Sequence, residues 1–107
     1  MTTFDNRENA FENKFAHDQE LQFKVTARRN KLVGLWAAGK MGLTEEEANA
    51  YAVSVVQADF EEAGDEDVIR KLLGDLTTAG ADVTDAMIRT ALSEQMIEAR
   101  RQFIEAL

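Results

Sequence analysis

The sequence has no cysteine and no proline, six glycines and one histidine in 107 residues. Without cysteine the chain has no disulfide, no thiolate zinc site and no thiol nucleophile. Folds rich in β-strands need frequent Gly and Pro at their turns, so the scarcity of both argues against them. No apolar run approaches the ~20 residues that a membrane-spanning helix requires. These absences favour a small all-α domain that does not insert into a membrane.

The residues that are present favour helices and carry a strong negative charge. Apolar residues make up 45% of the chain, and Ala, Leu, Glu, Arg and Gln, all good helix formers, are plentiful. Twenty acidic residues against twelve basic ones give a net charge of −8. Nucleic acids and anionic membrane surfaces repel such a chain over most of its face. We expect a cytoplasmic all-α protein, monomeric when isolated, with no nucleic-acid partner.

Apolar spacing and capping signals predict a four-helix bundle, with helices over residues 20–41, 45–62, 65–79 and 84–106. The sharpest local signal is Thr44 followed by Glu47, a capping box that opens the second helix. Trp36 is the expected core anchor of the first helix, and Gly34 and Gly39 on either side would let another helix approach closely. The predicted apolar stripe of the first helix is Leu21, Val25, Leu32, Leu35 and Trp36.

The first nineteen residues differ from the rest, because their large apolar side chains are three phenylalanines in a polar segment. Phe4, Phe11 and Phe15 are spaced i, i+7, i+11, so they share one narrow face if the segment is helical. A helix of this length is marginal alone. We interpret residues 1–19 as a mobile arm whose rings either insert into a partner groove or pack back onto the bundle.

Residues suited to catalysis or to metal binding are poorly arranged. The one histidine, His17, lies in the arm, far along the chain from Ser54 and Ser93, so no nucleophile–base pair is evident. His17 is either solvated or part of a pH-sensitive contact. The acidic stretch 59–67 lacks the ligand spacing of a calcium loop, and acids at helix starts are explained by the helix dipole. We therefore predict neither an enzyme nor a metal site.

One basic cluster stands out, formed by Lys24, Arg28, Arg29 and Lys31. Three of its members, Lys24, Arg28 and Lys31, lie on one side of a helix. The cluster is either a solvated face or a docking site for phosphate or for an acidic protein surface. No Gly-rich phosphate loop accompanies it, so patterning alone makes nucleotide binding the weaker interpretation.

Three blocks of sequence indicate a family. They are FDNRE with AFENKF in residues 4–15, RRNKL with GLWAA in residues 28–38, and ADFEE with GDEDV in residues 58–68. With these blocks the chain resembles, over essentially its whole length, the small ζ subunit of α-proteobacterial F-type ATP synthases, an inhibitor of ATP hydrolysis. Similar proteins often carry proline where this chain has Ala63, which leaves the turn before the third helix less rigid.

The resemblance implies a four-helix bundle with a mobile inhibitory arm. In such proteins the arm enters a catalytic interface of the enzyme head and blocks rotation in the hydrolytic direction, so the partners are catalytic and rotor subunits. The protein would then lie peripheral to the inner membrane through the ATP synthase. The family is also reported to bind ADP or ATP as a regulatory ligand rather than a substrate, with no required cofactor.

Matching positions give the expected site residues. Phe4, Phe11 and Phe15 are the apolar anchors of the arm. The charged contacts beside them are Arg7, Glu8 and Lys14. For nucleotide, charge alone favours Lys24, Arg28 and Arg29. The alternative function is a stand-alone adenine-nucleotide-sensing bundle whose arm packs on its own core.

Overall fold

The computed structural model describes the backbone of residues 2–59 and 64–106 and the side chains of residues 19–59 and 64–103. This part of the chain contains four α-helices. The helices are α1 (Thr2–Met41), α2 (Glu45–Ala58), α3 (Glu66–Thr78) and α4 (Asp85–Ala106). The predicted all-α four-helix bundle is confirmed. The C-terminal end of α1 lies where the sequence predicts it, whereas α1 begins at Thr2 and α2 ends at Ala58 instead of residue 62.

The chain reverses between α1 and α2 through the signals that the sequence contains. Gly42 has a φ of 73°, and the Leu43 amide donates to the Ala38 carbonyl at 3.0 Å, which closes the end of α1. The capping box is present: the Glu47 amide donates to the Thr44 hydroxyl at 3.2 Å, and the Thr44 amide donates to the Glu47 carboxylate at 3.0 Å. The hydrogen bond from the Thr44 amide to the carboxylate, together with one from the Thr44 side chain, lowers the pKa of Glu47.

The core lies where the four helices face one another, and α1 is central to it. In the described part α1 packs closely against α2, α3 and α4, whereas no Cα of α2 lies within 8 Å of a Cα of α4. The buried cluster comprises Val33, Ala37, Val55, Val68, Ile69, Leu72, Leu76, Ile88 and Leu92. The apolar residues that recur at helical spacing in the sequence of α3 (Ile69, Leu72, Leu76) and of α4 (Ile88, Leu92) therefore point inward.

The stripe predicted for α1 is wrong in register. Val25 is buried as expected, but the fully buried apolar positions are Val33 and the small residues Ala37 and Ala38, while Leu35 and Trp36 are half-buried. The physical reason is the close approach of α2, since small side chains allow two helices to pack at short distance. A Cβ built on Gly34 would lie 2.7 Å from the Cα of Ala52.

The two glycines that flank Trp36 therefore differ in role. Gly34 is needed for the contact between α1 and α2, as the sequence predicts. Gly39 has open space around it, with no atom within 4 Å of a built Cβ. The expectation of close approach is correct at Gly34 and wrong at Gly39.

A polar contact ties α2 to α3 on the outside of the core. The Tyr51 hydroxyl donates to Asp75 Oδ2 at 2.8 Å, and Lys71 Nζ donates to the same oxygen at 3.1 Å. Lys71 Nζ also lies 5.2 Å from the centroid of the Tyr51 ring. Burial, together with the hydrogen bond to the Asp75 carboxylate and its charge, raises the pKa of Tyr51.

Candidate functional site

The residues predicted to contact the enzyme head all lie in the arm, outside the part of the chain whose side chains are described. They are Phe4, Arg7, Glu8, Phe11, Lys14 and Phe15, and His17 lies there too. Backbone for residues 2–18 belongs to α1. The assignment of these side chains to an inhibitory contact, and the mobility of the arm, therefore stay predictions.

The predicted cationic cluster is divided between two sides of α1. Arg29 is only 4% exposed and turns toward α3. Lys24 and Arg28 are exposed and lie on the outer side with Lys31. The structure therefore does not bring Lys24, Arg28 and Arg29 together as one cationic surface, because neighbouring positions on a helix point about 100° apart.

Arg29 is the centre of a buried polar network between α1 and α3. Its Nε and Nη2 donate to Asn30 Oδ1 at 3.0 and 2.8 Å, and Nη2 also donates to Asp65 Oδ1 at 2.9 Å. Asp65 is the N-cap residue of α3, yet its side chain caps no backbone amide. Its carboxylate instead neutralises a guanidinium that would otherwise be buried without a counter-charge.

Asn30 completes this network with one unsatisfied group. The residue is fully buried, and its Nδ2 has no hydrogen-bond acceptor among the described residues. A buried amide donor without a partner costs about 1–3 kcal/mol. Arg29 and Asn30 are thus two buried polar side chains of α1 whose hydrogen bonds are only partly satisfied, and the half-exposed carboxylate of Asp65 is their counter-charge.

Arg29 and Asp65 form one end of an open cavity of about 610 Å³ between α1, α3 and α4. Its apolar floor includes Ile69, Leu92 and Met96. Arg100 lines the same cavity and has no hydrogen bond or ion pair with the described residues. The volume and the mixture of apolar floor and guanidinium groups are typical of small-ligand sites.

A second arginine on the rim of this cavity is already paired. Arg89 Nε donates to Asp85 Oδ1 at 2.6 Å, and its terminal nitrogens donate to the Glu66 carboxylate at 3.2 and 3.4 Å. The hydrogen bonds to these carboxylates raise the pKa of Arg89. The rim therefore carries the charges of three arginines against those of Asp65 and Glu66.

The outer side of α1 forms a separate, shallower groove of about 290 Å³ against Val56 and Phe103. Arg28 Nη1 donates to Gln102 Oε1 at 3.0 Å, and its guanidinium carbon lies 5.7 Å from the centroid of the Phe103 ring. Lys24 Nζ lies 3.2 Å from Glu20 one turn earlier. This groove combines cations with exposed ring surface.

The two serines considered as candidate nucleophiles are not placed beside a catalytic base in the described part of the chain. Ser54 is half-buried, and its hydroxyl donates to the Tyr51 carbonyl at 2.6 Å. Ser93 lines the large cavity. Among residues whose side chains are described, no three His, Asp or Glu side chains are grouped as metal ligands would be. In the same part of the chain, no helix has the length and hydropathy to cross a bilayer.

Sequence reasoning missed three residues of the large cavity and its network. Asn30 follows Arg29 directly, but a polar residue between two cations gives no sign that it will be buried. Arg89 follows Asp85 by four positions, a pattern typical of a surface ion pair. Arg100 is adjacent to Arg101 and shows its location only once α4 is packed against α1.

Known proteins place the chain in a family. The family model described as ATPase inhibitor subunit zeta matches residues 1–102. One solution NMR structure is 50% identical in sequence and superimposes with a TM-score of 0.73, and the match covers 81% of this chain and 99% of that chain. A search of curated protein sequences finds no match. The family model covers the arm, the network around Arg29 and almost all of α4, so the chain belongs to the ATPase inhibitor subunit zeta family.

Proposed function

We propose that this protein inhibits ATP hydrolysis by F-type ATP synthase, with residues 1–19 inserting into a catalytic interface of the head and blocking rotation in the hydrolytic direction. The observation that carries the proposal is the family match over residues 1–102, which includes the whole arm. The protein then acts as a regulator rather than an enzyme, lying in the cytoplasm and peripheral to the inner membrane through its partner.

The described part of α1 supplies a plausible anchor for the arm. Val25, Val33 and Ala37 are buried against the other helices, and α1 continues toward the arm as one helix from Met41 back to Thr2. A helix rises 1.5 Å per residue, so the nineteen arm residues would reach about 28 Å from the bundle. An arm that is already helical loses less chain entropy on insertion than a disordered one.

The test is ATP hydrolysis by the cognate purified head, titrated with the full chain and with a variant that lacks residues 1–19. We expect the full chain to inhibit and the shortened chain not to inhibit. Circular dichroism of the shortened chain checks that the bundle stays folded. If both chains inhibit equally, the arm is not the inhibitory element. If the shortened chain is strongly destabilised, the alternative of an arm packed on its own core is favoured.

A second pair of variants tests the aromatic face. Phe4→Ser, Phe11→Ser and Phe15→Ser together should raise the half-inhibiting concentration by roughly 100-fold or more, because buried aromatic anchors dominate binding energy. The matched control replaces three arm residues that lie opposite the rings at helical spacing. It is Asn6→Ser with Asn9→Ser and Asn13→Ser, and it should inhibit like the natural chain. Equal loss in both variants contradicts insertion through the phenylalanine face.

We further propose that adenine nucleotide binds as a regulatory ligand in the large cavity, with its phosphates near Arg29 and Arg100. The supporting observation is the Arg100 guanidinium, which has no hydrogen-bond or ion-pair partner among the residues with described side chains and lies beside apolar side chains able to receive a base. Isothermal titration with ADP and ATP tests this. Arg100→Gln should weaken binding about tenfold, the value of one charged hydrogen bond. Arg101→Gln, which alters the next residue outside the cavity, should not.

If Lys24→Gln and Arg28→Gln weaken nucleotide binding while Arg100→Gln does not, the ligand lies instead on the outer side of α1. This is the position that charge alone favours from the sequence. Absence of any heat with either nucleotide contradicts the regulatory ligand altogether.

A further inference from the structure

Charge is distributed very unevenly between α1 and the rest of the chain. Residues 19–41 hold five Lys or Arg and one acid, whereas residues 42–107 hold fifteen acids and five Lys or Arg. A protein with a net charge of −8 therefore has one helix segment that is clearly basic. Such an asymmetry steers association with an acidic partner toward that segment.

Two of the five cations of this segment lie apart from the other three. Arg29 is buried against Asp65 and Asn30. Lys40 Nζ lies 6.0 Å from the centroid of the Trp36 ring, at the opposite end of the segment. The other three, Lys24, Arg28 and Lys31, are exposed and follow one another at i, i+4 and i+7.

Apolar surface lies directly beside these three cations. Phe23 is 56% exposed and lines the same groove as the three cations. Ala27, Val56 and Phe103 form the floor of the groove of about 290 Å³ that Lys24, Arg28 and Lys31 border. A basic rim around an apolar floor is the composition of a protein-binding surface, in which burial gives affinity and charge gives orientation.

We propose that this groove, the α1 docking face, binds an acidic, partly apolar protein surface of the ATPase head, next to the interface that the arm enters. The inference rests on the proposed function and adds a second contact, made by the bundle itself. The face begins at residue 23, four positions beyond the arm on the same helix. At 1.5 Å per residue, Lys24 to Lys31 lie about 8–18 Å past residue 19. The surface of the head that borders the binding site of the arm would therefore contact this face.

The arrangement favours a protein over a single phosphate group. Lys24 and Lys31 are separated by about 10 Å along the helix axis, so one phosphate cannot contact both. Lys24 also has Glu20 beside it, and Arg28 is held by Gln102 and the Phe103 ring. An extended acidic surface can contact all three cations along their length. The acidic remainder of the chain opposes nucleic acid and anionic lipid.

The test uses the full chain with both lysines of the face reversed, Lys24→Glu with Lys31→Glu. The matched control is Arg70→Glu with Arg101→Glu, which causes the same change of net charge on α3 and α4. Like Lys24, both control residues are exposed partners in helical ion pairs. Circular dichroism and thermal melts verify that each variant is folded. Binding of the fluorescently labelled chain to the purified head and inhibition of ATP hydrolysis are measured separately.

We expect the docking-face variant to bind the head about tenfold more weakly, with unchanged maximal inhibition, while the control stays within about twofold of the natural chain. The difference should shrink at high salt, because exposed charges are screened. Equal binding by the natural chain and the docking-face variant overturns the proposal, and so does equal weakening in both variants. A change of oligomeric state in the docking-face variant assigns the face to a second copy, which also overturns it.

Failure of the proposed function gives a different pattern. A natural chain that binds the head without inhibiting it, with binding lost on Lys24→Glu and Lys31→Glu, refutes arm insertion and supports the docking face. The full chain with Phe4→Ser, Phe11→Ser and Phe15→Ser offers the complementary measurement. It should still compete weakly with the natural chain for the head, and it should lose that competition when the two lysines are also reversed.

Discussion

Replacing Gly34 by alanine brings two opposing effects to one position of α1. Glycine in a helix interior is about 1 kcal/mol less favourable than alanine, so the substitution gains that amount from helix propensity. The added Cβ, however, would lie 2.7 Å from Ala52 Cα and 3.2 Å from both Ala52 Cβ and Val55 Cγ2. Because Ala52 Cα belongs to the backbone, the clash can be relieved only if α1 and α2 move apart.

Overpacking of a well-packed interface costs about 1–3 kcal/mol, and a backbone clash belongs in the upper part of that range. Against the gain in propensity, we expect Gly34→Ala to lower the free energy of unfolding by about 1–2 kcal/mol. For a domain of this size, 1 kcal/mol corresponds to about 4–8 °C in melting temperature. The variant should therefore melt about 5–10 °C below the natural chain.

The matched control lies five residues away on the same helix. Gly39 has no atom within 4 Å of a built Cβ, so Gly39→Ala should raise the free energy of unfolding by about 0.5 kcal/mol. Urea denaturation followed by circular dichroism measures both variants. If Gly34→Ala is as stable as Gly39→Ala, the close packing of α1 on α2 is refuted.

Three further predictions concern polar contacts. Asp65→Asn should lower the free energy of unfolding by about 1–2 kcal/mol, since buried Arg29 loses its counter-charge, and urea denaturation measures the change. Tyr51 is the only tyrosine, and because its pKa is raised, the stability due to neutral Tyr51 is complete below pH ~10 and is lost as pH rises through the folded-state pKa. The absorbance of tyrosinate should therefore appear at higher pH in the folded protein than in the unfolded chain. Tyr51→Phe should lower the free energy of unfolding by about 1 kcal/mol. Hydrogen bonds from Arg101 and Gln102 lower the pKa of Glu98 to about 2, so the contribution of ionised Glu98 to stability is present above pH 4.5 and is lost as pH falls toward 2. The free energy of unfolding of Glu98→Gln, measured by urea denaturation, should therefore depend less on pH between 4.5 and 2 than that of the natural chain.

Local signals in the sequence predict the reversal between α1 and α2 and the buried faces of α3 and α4 well. The capping box at Thr44, the positive φ of Gly42 and the inward stripes of α3 and α4 all depend on residues near one another in the chain. Such features are set by hydrogen bonds and side-chain spacing within a few residues, which is why the pattern identifies them.

The register of α1 and the division of the basic cluster are not predictable in this way. Leu35 and Trp36 are larger and more apolar than Ala37 and Ala38, so a prediction from hydrophobicity alone places the wrong side of α1 in the core. The observed side is chosen by α2, which needs small residues opposite Ala52. The burial of Arg29 likewise depends on Asp65, thirty-six positions further along the chain.

The central place of α1 has a consequence for the stability of the whole protein. In the described part the backbones of α2 and α4 do not approach each other closely, so their positions depend mainly on the packing of each against α1 and α3. A partner that binds folded α1 and not the unfolded chain stabilises all four helices through mass action. If the ATPase head binds α1 as proposed, occupancy of the head and protection of the bundle from proteolysis rise together, and protein that leaves the head becomes the more readily degraded population.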